Sequence, residues 1–545
     1  MTATTHKPLH VDAIVIGAGF SGLRMLYELR RLGLSARVIE AGSDLGGTWY
    51  WNRYPGSRTD SESWYYCFSF CKELLQEWDW SQRFTPYDEI LKYLDHVAQR
   101  FDLRKDMVFN QRVLSAHYDQ TSNLWTVTSD SGDVYQCRYF ILGSGAVSQP
   151  HLPVKQGLEQ YCGEVYMTAR WPKHEVDFSG KRVGIIGTGA SAVVAIPVIA
   201  QTAAHLTVFQ RTPNYVLPSR NYPLQDADRK AIKADYDKIW ARVNEHPFGM
   251  AFEFAGRVLA DVPPEQRQRI FDKGWETGGF RFMFETFDDI WLNEESNQAA
   301  AEYVRNKIRT IVDDPDTAEL LCPKNHPLGS KRPPVGQFYY ETFNRDNVTL
   351  VDVHDNPLRG FTATGVRTDS AQYDLDIVIA ATGFDMSTGA PKAIDIRGRD
   401  GRTLVEHWQD GPRTLLGLAV DGFPNMFVIY TAQMPFSNVP PVIERQVEWI
   451  GRALEYFIAQ GIEYVEPAPS AVEQWCQHVD QLVGTTLLQQ GERANSWIFG
   501  ANIPGKARKV LFYFGGANRY YDEISHCAEH GYQGFLRDER GQRRA

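Results

Sequence analysis

The stretch Ala13-Ile14-Val15-Ile16-Gly17-Ala18-Gly19-Phe20-Ser21-Gly22 joins an apolar run to a glycine-rich turn. The pattern returns 170 positions later as Val183-Gly184-Ile185-Ile186-Gly187-Thr188-Gly189-Ala190-Ser191-Ala192. In each turn the first glycine permits a tight reversal. The second lets backbone approach a pyrophosphate, and the third small residue lets helix and strand pack closely. Phosphates at such a turn meet a helix N-terminus, where unpaired N–H groups and the helix dipole favour anions.

The two units differ at the residue that reads the ribose. Twenty-three positions after Gly17 comes Glu40, at the end of Ala36-Arg37-Val38-Ile39. A carboxylate there accepts hydrogen bonds from ribose hydroxyls. Twenty-three positions after Gly187 comes Gln210, ending Leu206-Thr207-Val208-Phe209, and Arg211 follows. An acid would repel a 2′-phosphate, whereas an arginine pairs with one. The simplest account is two dinucleotides, an FAD or NAD at the first turn and NADPH at the second. One such turn alone is weak evidence. Two complete strand–turn–helix–strand units with matching offsets make coincidence a poor explanation. The fold class expected is α/β, with two Rossmann-like dinucleotide-binding domains (FAD and NADP) and a helical insertion.

A chain of 545 residues, 43% hydrophobic and 23% charged, suits two or three globular domains. The net charge of −10 and the lack of a basic run make nucleic acid a poor partner. Met1 to His10 is polar, without the apolar core of a secretion signal. No run of about 18 apolar residues suggests a membrane span. The longest candidate, Ala192 to Ala200, contains Pro197 and reads as the helix after the second turn. The seven cysteines form no CxxC pair and no metal-finger spacing, so no metal site is expected. Cys67 and Cys71 read as free thiols, and a reducing cytoplasm fits. The segment 537–545 mixes charges and reads as a solvated tail.

The expected organisation is an FAD-binding part over 1–145, an NADP-binding part over 146–225 and a helical insertion over 226–330. The NADP-binding part returns over 331–375. The FAD-binding part returns over 376–545 and carries a mobile loop near 490–508. Strands are expected at Leu124-Trp125-Thr126-Val127-Thr128, Tyr139-Phe140-Ile141-Leu142, Val348 to Asp352 and Met426 to Tyr430. The stretch from Asp226 to Asp313 is charged, aromatic and helical in spacing.

Several further motifs resemble the flavin-containing monooxygenases and, within them, the Baeyer–Villiger monooxygenases, over almost the whole chain. Asp44-Leu45-Gly46-Gly47-Thr48-Trp49-Tyr50-Trp51-Asn52-Arg53-Tyr54-Pro55-Gly56 is similar to the family's flavin-embracing loop. Arg58-Thr59-Asp60-Ser61-Glu62-Ser63 follows, where the family has an aspartate near the flavin ring. Lys331-Arg332-Pro333 and the segment Tyr339 to Val348 resemble its active-site arginine region. Ala381-Thr382-Gly383 matches the motif that links the two units, and Ser496-Trp497 the loop whose tryptophan covers bound nicotinamide. The resemblance implies Arg332 and Asp60 as catalytic residues. It implies flavin contacts from Gly17, Gly19, Gly22, Glu40, Gly47, Thr48, Trp49, Asp60, Tyr66 and Val113. It implies contacts to the nicotinamide cofactor from Gly187, Thr188, Gly189, Ser191, Arg211, Thr212 and Lys331. Ala381, Thr382, Gly383 and Trp497 complete the set.

On that resemblance NADPH reduces FAD, and the reduced flavin combines with O2 to give a peroxide. An anionic peroxide attacks a ketone carbonyl and yields an ester or lactone. A protonated one oxidises sulfur or nitrogen instead. Arg332 is the candidate for holding the anion, because a guanidinium keeps its charge at any working pH. Two departures keep heteroatom oxidation open. The fingerprint Phe-x-Gly-x-x-x-His-x-x-x-Trp-Pro stands here as Tyr161 to Pro172, with Met167 in place of histidine. The loop Tyr430-Thr431-Ala432-Gln433-Met434-Pro435-Phe436-Ser437-Asn438 lacks the usual glycine-proline-glycine turn. A flavin disulfide reductase would need a redox cysteine pair, and none is present. A nucleotide-sensing protein without activity would consume no oxygen.

Overall fold

The computed structural model describes residues 8–538; the N-terminal residues 1–7 and the tail beyond 538 lie outside the described residues. The chain opens with β1 (Leu9–Ile16), α1 (Phe20–Arg31) and β2 (Ala36–Ile39). Then come β3 (Met107–Val108), β4 (Val113–Asp119), β5 (Leu124–Ser129) and β6 (Val134–Leu142). The second unit holds β7 (Glu164–Met167), β8 (Arg182–Ile186), α2 (Ala190–Ile199) and β9 (His205–Gln210). Later strands are β10 (Val348–Asp352), β11 (Ile377–Ala380), β12 (Asp395–Arg397) and β13 (Met426–Val428). The helix α3 (Val439–Gln460) starts with prolines 440 and 441 in its first turn and ends at Gly461, whose φ is 66°.

Two sheets result. The first runs β12-β4-β5-β6-β1-β2-β3, with β13 also paired to β6. β1 is parallel to both β2 and β6, with Val15 opposite Val38 and Ile141. β4, β5 and β6 form an antiparallel meander on one side. The second sheet, β10-β9-β8-β11-β7, is parallel throughout. Its central strands are buried along nearly their whole length, and Ile377–Ala380 is an unbroken apolar run, as suits a sheet covered on both faces.

The turns show why their glycines are required. Gly17 and Gly187 have φ of 96° and 107°. A Cβ at Gly17 would lie 2.9 Å from the Gly143 carbonyl oxygen, and one at Gly187 would lie 2.6 Å from that of Ala381. Each first glycine therefore presses on the end of the neighbouring strand. A Cβ at Gly22 would lie 1.9 Å from the Gly17 carbonyl oxygen, whereas the second turn accommodates Ala192, fully buried, at that place.

The expected insertion is helical. It contains Asp226–Ala234, Tyr236–Glu245, Pro264–Thr277, Arg281–Phe284 and Glu294–Ile311. The Asn293 side chain caps the last of these, accepting from the Ser296 N–H at 3.1 Å. One boundary moves. Residues 376 onward were expected to return to the first unit, but Ile377–Ala380 lies between β8 and β7 in the second sheet. An apolar strand after a hairpin pairs where two parallel edges are free, and only after it, at β12, does the chain rejoin the first sheet.

Candidate active site

A cavity of about 930 Å³ opens between the two units, lined by the C-terminal ends of their parallel strands and by the insertion. Ligands of open α/β sheets bind at that edge. Of the residues singled out from sequence, Gly17, Gly19, Glu40, Gly47, Thr48, Trp49, Asp60, Tyr66 and Val113 all line it. So do Gly187, Thr188, Gly189, Ser191, Arg211, Thr212, Lys331 and Arg332, and Ala381, Thr382, Gly383 and Trp497. Gly22 does not. It packs α1 onto the first turn, so its requirement is steric and not a ligand contact. Gln210 also turns away. Its amide donates to the Leu320 carbonyl at 2.7 Å, and the next residue, Arg211, lines the cavity instead.

At the first turn the Glu40 carboxylate accepts from the N–H of Ala18 at 2.8 Å and of Gly42 at 2.6 Å. Burial pushes its pKa up, and those two N–H groups pull against the rise. The carboxylate thus fixes both the turn and the loop that follows β2. The second turn is open in front: a Cβ at Gly189 would meet nothing within 4 Å. Beside it stand Lys331 and Arg211. Burial, then the nearby Arg211, lowers Lys331 to about 8. Among the described residues neither cation is within ion-pair distance of an acid. Two neighbouring cations without a counter-charge fit a 2′-phosphate, which supplies the missing anion.

Arg332 sits where the nucleotide part of the cavity meets an aromatic wall of Phe248, Phe280, Phe284, Trp291 and Phe436. Its guanidinium donates from Nη2 to Asp60 Oδ2 and lies over the Phe280 ring at 5.2 Å. The side chains of Arg332 and Asp60 are 28% and 26% exposed, which leaves the remaining guanidinium donors open to the cavity. Asn214 holds the backbone, donating to the Arg332 carbonyl at 3.0 Å.

Met167 ends β7 opposite Ala380 and does not line the cavity. Three residues on, Arg170 spans the two units: it donates to the Ser148 carbonyl at 2.6 Å and lies 4.4 Å from the Trp51 ring centre. The Trp497 ring packs on Phe436 and Phe512, with centres 5.8 and 5.5 Å apart. Its loop is tied to the segment after Gly383. Asn502 donates to the Phe384 carbonyl at 2.9 Å and Lys506 to that of Met386 at 2.8 Å. Within the 430–438 loop, Gln433 adopts a φ of 55° and is held by Thr414, whose hydroxyl donates to its side-chain oxygen at 2.6 Å. No local pattern marks Phe280 or the other aromatics as wall residues, and the fingerprint around Arg170 carries no sign of its contact with Trp51. Glu62 lay two positions from Asp60 in the quoted block but carried no signal of its partners.

Two nucleotide-binding units that share one cavity define a two-nucleotide flavoprotein oxidoreductase. Residues 14–245 match the family model described as Pyridine nucleotide-disulphide oxidoreductase. A Baeyer-Villiger monooxygenase of Pseudooceanicola batsensis is 44% identical over 530 residues, covering 97% of this chain and 96% of the relative. A phenazine N-monooxygenase of Lysobacter antibioticus is 41% identical over 530 residues, covering 97% of each. The crystal structure of cyclohexanone monooxygenase from Rhodococcus sp. Phi1 bound to NADP+ superposes with a TM-score of 0.95 at 42% identity, covering 98% of this chain and 100% of that one. The chain belongs to the Baeyer–Villiger monooxygenase family. Among the described residues no cysteine lines the cavity, where a disulfide reductase would need a redox cysteine pair beside the flavin.

Proposed function

We propose that this protein uses FAD, NADPH and O2 to insert one oxygen atom beside the carbonyl of a small-molecule ketone, giving an ester or lactone. When bound, FAD reduced by NADPH supplies the activated oxygen, which no side chain here can. The protein's own residues do the rest. Glu40 and the first turn bind the flavin nucleotide. Arg211, Lys331 and Thr212 receive the 2′-phosphate of NADPH. Phe248, Phe284, Trp291 and Phe436 exclude water and seat an apolar substrate. Trp497 and its tied loop close the nicotinamide side.

The observation that carries this reading is Arg332, a permanent cation held by Asp60 and Phe280 at the border of the nucleotide and aromatic parts of the cavity. Its free donors face the cavity, and with FAD bound they would stabilise a developing oxyanion and keep it unprotonated and nucleophilic. A second reading, oxidation of nitrogen or sulfur, is favoured by Met167 at the fingerprint position and by the phenazine N-monooxygenase relative. Products from a cyclic ketone and a thioether test the two. Lactone from the ketone supports the proposal, and sulfoxide with no lactone favours the second reading. Among the described residues no helix is long and apolar enough to cross a membrane. The unpaired thiols fit a cytoplasmic setting.

A further inference from the structure

Glu62 lies two residues beyond Asp60 and is fully buried. Its Oε1 accepts from Arg83 Nε at 3.0 Å, from Arg83 Nη2 at 2.8 Å and from Arg281 Nε at 3.0 Å. Its Oε2 accepts from Arg281 Nη2 at 2.9 Å. Burial pushes the carboxyl up, but Arg281 and Arg83 outweigh it and hold Glu62 below the usual carboxylate range. Arg281 is the residue after Phe280 and begins the short helix Arg281–Phe284. Arg83 also donates to the Thr277 carbonyl at 2.6 Å, at the end of the preceding helix. Between them Gly278 and Gly279 turn the chain at φ of 69° and 63°. The loop around Asp60 is fixed in turn: the Thr59 N–H donates to the Thr85 carbonyl at 3.0 Å, and the Thr59 hydroxyl to that of Ser61 at 2.7 Å.

One buried carboxylate therefore joins its own segment to those of Arg83 and Arg281, and Asp60 and Phe280, neighbours of Glu62 and Arg281 along the chain, hold Arg332 from two sides. We infer that the Glu62–Arg83–Arg281 cluster is a positioning device. It sets the distance between Asp60 and the Phe280 ring and so aims the Arg332 guanidinium at the reacting oxygen. A three-charge anchor suits that task better than apolar packing, because its paired hydrogen bonds fix direction as well as contact. A buried ion cluster adds little net stability over well-packed apolar residues, so stability alone gives no account of this one. The inference rests on the reading of Arg332 given above.

Glu62→Gln and Arg281→Lys test it, with Arg332→Ala as the reference. Three quantities are read on purified, flavin-loaded protein: the rate of flavin reduction by NADPH, oxygenated product per NADPH consumed, and the thermal midpoint. In folded Glu62→Gln, flavin reduction stays within about twofold while product per NADPH falls about tenfold or more, with H2O2 in its place, as expected when a catalytic group moves by a fraction of an ångström. Arg281→Lys keeps the charge but not the two parallel hydrogen bonds. It shows the same loss to a smaller extent, and it decides the matter should Glu62→Gln fail to fold. A merely structural cluster would lower the midpoint and leave product per NADPH unchanged in the folded fraction, and that result overturns the inference. Should Arg332→Ala itself retain full product yield, the reading of Arg332 falls and this inference with it. Should Arg332→Ala lose product while both cluster variants keep it, only the inference falls.

Discussion

Replacing Arg332 by alanine separates binding from chemistry. The variant removes the guanidinium that faces the cavity, its link to Asp60 and its stack on Phe280. The Arg332–Asp60 pair is about a quarter exposed, so water can solvate the carboxylate left behind. The stability cost is then that of a partly solvated ion pair, about 1 kcal/mol or less. The catalytic cost is larger. Removing one donor aimed at a developing oxyanion costs about 3–4 kcal/mol, roughly a hundredfold to a thousandfold in rate. On the proposed reading NADPH is held at the second turn by Arg211 and Lys331, and the substitution removes neither side chain. Flavin reduction by NADPH is therefore expected within a few-fold of the parent, with ester or lactone reduced to about 1% or less and H2O2 taking its place. The assay is anaerobic stopped-flow reduction, followed by product and peroxide measurement under air. Ester yield per NADPH within threefold of the parent would refute the reasoning about Arg332, whatever the flavin reduction rate.

Lys331 gives a pH signature: it stays charged below about 8 and loses its proton above that value. The KM for NADPH is expected to rise as pH increases through 8, while the KM for NADH, which lacks the phosphate, does not follow. By linkage NADPH binding near pH 9 takes up protons, measurable by calorimetry in buffers of different ionisation enthalpy. A flat NADPH profile counts against Lys331 as a phosphate ligand. Arg211→Ala narrows the preference for NADPH over NADH by about tenfold, the worth of one solvent-accessible charge-assisted bond; an unaltered ratio, measured by steady-state kinetics, removes Arg211 from that role. Gly22→Ala places a Cβ 1.9 Å from the Gly17 carbonyl oxygen, and overpacking of that kind costs on the order of 1–3 kcal/mol. The thermal midpoint should drop and flavin should leak on gel filtration, whereas Ala192→Gly at the matching place of the second turn should leave flavin content unchanged.

Much of the fold is local in origin and was legible. Each βαβ unit is announced by consecutive residues: an apolar strand, glycines at fixed intervals and a strand ending at a set offset. Glu40 follows from that offset, and Arg211 stands one residue beyond it. The boundary at 376 did not follow, because the sequence of Ile377–Ala380 says that it is a buried strand but not which sheet receives it. Gly22 was legible as a requirement, and only packing showed that the need is room for the Gly17 carbonyl rather than for a ligand.

The sequence by itself determined that two nucleotides could be bound, and that the second could carry a 2′-phosphate, because strand periodicity and turn geometry act over neighbouring residues. The tertiary structure alone decided what Arg332 faces. Asp60, Phe280 and Arg332 are distant along the chain and meet only when the insertion packs over the first unit. Glu62 and its two arginines are the same case. Glu62 is buried where cations from two other segments meet its carboxylate, and no local pattern encodes that arrival.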